Sequence, residues 1–103
     1  MNKTSILDSF RVKKDSLIIV SHSYENSAKI CQLLRDNGIT TSYGQNYMHR
    51  DILAWLKTRH NCGNYIGFTS SGRIRNMEVV GVGEYKTTIN DSELFNPYEV
   101  ALV

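Results

Sequence analysis

Three short polar stretches carry residue types that could hold or transform a ligand. Ser21-His22-Ser23 offers two hydroxyls and an imidazole, and Tyr43-Gly44-Gln45-Asn46 a phenol and two amides. Residues 69–73, Thr69 through Ser70, Ser71 and Gly72 to Arg73, add three hydroxyls and a guanidinium. Each stretch follows a segment that reads as a strand. If the first three strands run parallel, their carboxyl ends share one sheet edge, where ligands of open α/β sheets bind. Beside a helix N-terminus with free backbone N–H groups, such a rim suits a phosphate or another anion. The candidate binding set is Ser21, His22, Ser23, Asn46, Arg50, Thr69, Ser70, Arg73 and Arg75. In the competing reading these serines and asparagines cap helices and close turns, and Arg50 and Lys57 line a solvated helix face.

Other chemistries find less support. His60 and Cys62 stand two apart, with His22 and His49 elsewhere, but no Cys-x-x-Cys or His-x-x-x-His pair completes a metal set. No serine sits in a nucleophile elbow. Gly81-Val82-Gly83 lacks the third glycine of a dinucleotide fingerprint and opens no helix. The expectation is a non-catalytic protein without metal or cofactor. The six tyrosines read as core and sheet-face residues, although Tyr43 and Tyr47 could stack on a base.

The elements that must position these residues are organised around residues 17–21. Leu17-Ile18-Ile19-Val20 is an apolar, β-branched run of the kind buried on both sheet faces. Ser23 then caps a helix over 24–37, whose apolar positions include Tyr24, Ala28, Ile30, Cys31, Leu33 and Leu34. Gly38 sits where a left-handed residue stops it. A second strand over 39–43 completes a β-α-β unit. A second helix over 47–60 carries Met48, Ile52, Leu53, Trp55 and Leu56 toward a core, with Asp51 early and Lys57, Arg59 and His60 late, as the macrodipole prefers. Trp55 is expected to be a core residue.

Residues 65–69 and 77–85 read as third and fourth strands around a turn at 70–73, residues 87–96 as a polar loop, and residues 98–103 as a last strand. Before them all, Thr4 caps a short helix with Ile6, Leu7 and Phe10 on one side. The fold class is therefore α/β: a small single domain over 1–103, with a four- or five-stranded, mostly parallel or mixed sheet. Its element order is β-α-β-α-β-β-β, packed by two main helices. Whether the third and fourth strands are parallel or form a hairpin stays open at this point.

Composition agrees with one modest core: 103 residues, 41% hydrophobic and 21% charged, with a net charge of only +2. That balance does not demand a nucleic-acid partner. The two cysteines, Cys31 and Cys62, read as reduced thiols. Asp8 cuts the N-terminal apolar run short, and nothing approaches the roughly 20 apolar residues of a membrane span. A cytoplasmic location without membrane contact is expected.

In pattern, residues 15 to about 82 resemble the second RecA-like domain of superfamily 2 helicases. An apolar strand leads into a helix ending in Leu33-Leu34 and Gly38-Ile39. A short strand ends at Tyr43-Gly44, a helix carries Arg50, a strand ends in Thr69, and another apolar strand runs from Val79 to Val82. The resemblance implies that Thr69 and Ser70 touch a nucleic-acid phosphate. The family's arginine-glycine-x-aspartate is not reproduced by Gly72-Arg73-Ile74-Arg75-Asn76. Its arginine-finger segment and its phosphate-loop domain are missing, which excludes an ATP-driven motor unless a partner supplies that half. The opening, Ile19-Val20-Ser21-His22-Ser23-Tyr24-Glu25 followed by a helix and Asp36-Asn37-Gly38-Ile39, also resembles a TIR domain. No glutamate aligns with that family's catalytic one.

These readings converge on a small accessory protein that binds nucleic acid or a phosphate-bearing ligand at the strand-end loops. The alternative is a protein–protein inhibitor or adaptor acting on a host protein, of the sort phages encode. A TIR-like nucleotide-processing enzyme comes third.

Overall fold

The computed structural model describes residues 3–12, 17–39, 50–70, 72–77, 85 and 87–95. Helix α1 (Lys3–Val12) precedes strand β1 (Leu17–Ser21), which feeds α2 (Tyr24–Asp36). After α3 (Arg50–Asn61) come β2 (Ile66–Thr69), β3 (Ile74–Asn76), β4 (Thr87–Asn90) and the one-turn helix α4 (Asp91–Leu94). The strands form one mixed sheet in the order β3-β2-β1-β4. This is the expected α/β class, with the long apolar run at the centre.

β1 is buried along its whole length because both faces of the sheet are covered. Leu17 and Ile19 face the helices, where Ile30, Cys31 and Leu34 of α2, Leu56 of α3 and Ile6, Leu7 and Phe10 of α1 close the main core. Ile66 and Phe68 of β2 and Ile89 of β4 join them. On the opposite face Ile18 and Val20 meet Met77, with Tyr85 packed alongside. Trp55 is only partly buried, with the Arg59 guanidinium 5.4 Å from its ring; Leu56 is the residue of α3 that is fully buried.

The helix ends follow local chemistry. Ser23 caps α2 by accepting the Asn26 N–H at 3.1 Å. At the far end Gly38 adopts φ +73°, so its N–H reaches Arg35 O and the Ile39 N–H reaches Leu34 O, closing a Schellman motif. α1 begins at Lys3, which puts Thr4 inside the helix rather than at its cap.

Three expectations require correction. β2 pairs with β1 antiparallel, Ser21 opposite Ile66 and Ile18 opposite Thr69, so the first and third predicted strands do not share a carboxyl edge. The strand after the turn begins at Ile74 rather than at residue 77 and returns antiparallel on β2, so the alternative left open resolves as a hairpin. Residues 87–94 are not a loop: β4 lies parallel to β1, Val20 opposite Asn90, and α4 follows directly. The predicted strands over 39–43, 77–85 and 98–103 fall wholly or mostly outside the described residues, as does the start of the second helix. Among the described residues no helix is long and apolar enough to cross a membrane.

Candidate functional site

The sheet topology builds a site at one end of β1. Because β4 runs parallel to β1, the residues that follow each strand emerge at the same edge: His22 after β1, Asp91 after β4. Because β2 runs antiparallel, the residues that precede it, Asn64 and Tyr65, meet them there. α3 delivers its C-terminal end to the same place. Gly63, at φ +78°, turns the chain from that helix into Asn64.

Asp91 is almost entirely engaged in holding one histidine. Its Oδ2 accepts the His22 backbone N–H at 2.9 Å and the Asn26 side-chain amide at 2.9 Å, while Oδ1 lies 3.1 Å from His22 Nδ1. The carboxylate side chain is 6% exposed and the imidazole 45%, so the acid is internal and the base is accessible. Burial pushes the Asp91 carboxyl up, but the three hydrogen bonds and the His22 charge outweigh it and hold the group below its ordinary 3.8. An ionised Asp91 accepts from Nδ1–H, so Nε2 is the nitrogen left for a ligand: a proton acceptor in the neutral ring and a second N–H donor in the imidazolium. The Tyr65 ring stands 5.0 Å from the imidazole at 57°.

Behind this pair lies a buried chain of hydroxyls. Ser21 Oγ donates to the Ser23 carbonyl at 3.0 Å, and Ser27 Oγ is 2.6 Å from both Ser21 Oγ and His60 Nε2. The Ser27 hydroxyl links Ser21 to the His60 ring, and the direction of each bond follows the tautomer of that imidazole. Burial is the strongest influence on His60 and lowers its pKa from the ordinary 6.5. The Asn64 backbone and the charges of Glu25 and Asp91 oppose that shift without cancelling it.

His22, Ser23, Glu25, His60, Asn64 and Tyr65 are among the residues around an open pocket of about 280 Å³. The first turn of α2 forms one wall. Its N–H groups have no partner inside the helix, and Ser23 takes only that of Asn26. Tyr65 is 52% exposed, a large ring presented to solvent. Among the described residues no three His, Cys, Asp or Glu side chains are grouped to hold a metal ion.

Of the predicted site residues, Ser21, His22 and Ser23 belong here, though Ser21 is fully buried as part of the scaffold. Thr69 and Ser70 lie at the opposite end of the sheet, about 10 Å along the ladder at 3.4 Å per residue. The Thr69 hydroxyl donates to Arg73 O at 3.1 Å and accepts Arg73 N–H at 3.0 Å; it closes the hairpin. Ser70 N–H bonds Leu17 O, at the start of β1. Ser70 Oγ and Arg75 Nε are buried without a hydrogen-bond partner, and Arg73 is exposed. Arg50 opens α3, about 15 Å from His60 at 1.5 Å per residue. Asn46 lies outside the described residues.

Asp91, His60, Asn26 and Tyr65 were not predicted. Thr87-Thr88-Ile89 is a β-branched triplet followed by Asn90-Asp91-Ser92-Glu93, a strand running into a helix start, and that signal was available. Compared with protein-family models, curated proteins and solved structures, the chain matches none.

Proposed function

We propose that this chain binds a small phosphate-bearing ligand, a nucleotide or the end of a nucleic-acid strand, in the pocket between β1, α2 and the α3–β2 turn. The observation that carries the reading is the His22 ring, held by a buried carboxylate beside the open first turn of α2. A phosphate there meets backbone N–H donors, the positive end of the helix dipole and an imidazole. The exposed Tyr65 ring offers a base a stacking surface next to that position. Glu25 also lines the pocket and disfavours a highly charged anion, but it is exposed and free to turn into water. The volume admits one nucleotide-sized fragment rather than a duplex.

The test is an NMR titration with inorganic phosphate, nucleoside 5′-monophosphates and a short oligonucleotide. Shifts should gather at residues 22–26 and 64–65, nucleotides should bind more tightly than phosphate, and salt should weaken the binding. Shifts confined to Arg73 and Arg75, or none at millimolar ligand, would overturn the assignment.

A further inference from the structure

The Asp91–His22 pair is more than a binding arrangement requires. A phosphate ligand needs positive charge, whereas this geometry fixes an imidazole tautomer and leaves Nε2 as an accessible proton acceptor. The two strands that deliver the pair are neighbours, and the buried carboxylate spends both oxygens on the residue it orients. The serine hydroxyls beside it are all committed. Ser21 and Ser27 are fully buried in the chain ending at His60, and Ser23 Oγ caps α2. No serine is therefore free to attack, so the oxygen comes from water or from the substrate itself, and a substrate that carries its own needs no second site.

Building on the phosphate reading above, we propose that His22 is the catalytic base of a cleavage reaction on ribonucleotide phosphodiesters, with Asp91 as its positioning residue. A ribose carries its own nucleophile, the 2′-hydroxyl, next to the phosphorus, so attack is intramolecular. His22 Nε2 takes the 2′-hydroxyl proton, the 2′-oxygen bonds to phosphorus, and the bond from phosphorus to the 5′-oxygen breaks. Solvent protonates the departing 5′-oxygen and the imidazolium returns its proton to solvent. The products are a 2′,3′-cyclic phosphate and a 5′-hydroxyl, and no oxidant, reductant or further reactant is consumed.

The experiment incubates the full chain with a ribodinucleoside monophosphate, uridylyl-adenosine, and separately with its 2′-deoxy counterpart. Binding is followed by NMR and products by mass spectrometry. The ribo form should yield the cyclic phosphate while the deoxy form binds and stays intact. His22→Gln should lower kcat by at least about 100-fold, the lower range for loss of a general base. Asp91→Asn should lower kcat while leaving KM close to wild type, a split that a merely structural role would not produce. The pH–rate profile of wild type should differ in shape from that of His22→Gln, whose residual rate no longer depends on this base. The titratable groups around His22 are Asp91 from α4, Tyr24 and Glu25 from α2, His60 from α3 and Tyr65 ahead of β2.

Deoxy binding with an intact ribo substrate overturns the catalytic proposal and leaves the binding function standing. Failure to bind either dinucleotide overturns both. Cleavage of the deoxy form, or cleavage undiminished in His22→Gln, also refutes it. The ribo-against-deoxy comparison on wild type decides the matter even if Asp91→Asn does not fold.

Discussion

At the scale of single residues, the site couples protonation to stability. His60 has its pKa lowered by burial, so on acidification the unfolded chain takes up this proton before the folded one. The stability it contributes is complete above pH 6.5 and is lost as pH falls through the lower folded value. For Asp91, burial is outweighed by the backbone and side chain of His22 and by Asn26, so its folded pKa lies below 3.8. Its contribution is complete above that pH and disappears on further acidification. Urea unfolding of wild type should therefore weaken in two stages as pH falls. His60→Gln should lack the first stage and Asp91→Asn the second. At neutral pH Asp91→Asn should also cost about 1–3 kcal/mol, because an amide cannot accept all three donors. An Asp91→Asn variant as stable as wild type at pH 7 and at about pH 3 would remove the carboxylate's assigned role.

At the scale of elements, close approach between strands matters more than helix termination. A Cβ on Gly67 of β2 would press on Ile18 Cδ1 and sit 2.6 Å from Met77 Sδ, both buried on the face away from the helices. Gly67→Ala should cost about 1–3 kcal/mol through overpacking. Gly38→Ala meets no atoms and should cost only about 1 kcal/mol, the strain of a left-handed backbone. Chemical denaturation of both variants checks the order, and a neutral Gly67→Ala would mean that Ile18 and Met77 pack loosely. The helices themselves were legible from local signals. Apolar spacing, Ser23 before α2 and glycines after α2 and α3 each act within a turn, so neighbouring residues suffice to specify them.

For the whole molecule, the central place of β1 sets how the fold opens. Its amides pair with β2 on one side and β4 on the other, and both its faces are buried. Amides in Ile18–Val20 should exchange with deuterium only through global unfolding, whereas those of β3, outermost in the sheet among the described residues, should exchange through local opening. Equal rates in β1 and β3, measured by native-state exchange, would contradict this strand order.

Residues 17–21 announced a buried strand because four consecutive apolar residues leave no polar face, whatever partner they find. The α/β class and three of the helices followed from periodicity in the same way. Strand sense did not, because residues 66–69 look alike whether they run with β1 or against it. Only the path of the chain between them decides that, and here it runs antiparallel. That choice parted residues 21–23 from 69–73, two of the three loops that the sequence placed on one rim, and put Thr69 at the strand end that closes a hairpin. β4 went unread because of its three β-branched residues only Ile89 is buried, so its burial signal is one residue long. The Asp91–His22 pair spans 69 residues, and no local spacing encodes it. It exists because β4 lies parallel to β1 in a register that sets Asn90 beside Val20, and that register belongs to the tertiary structure alone.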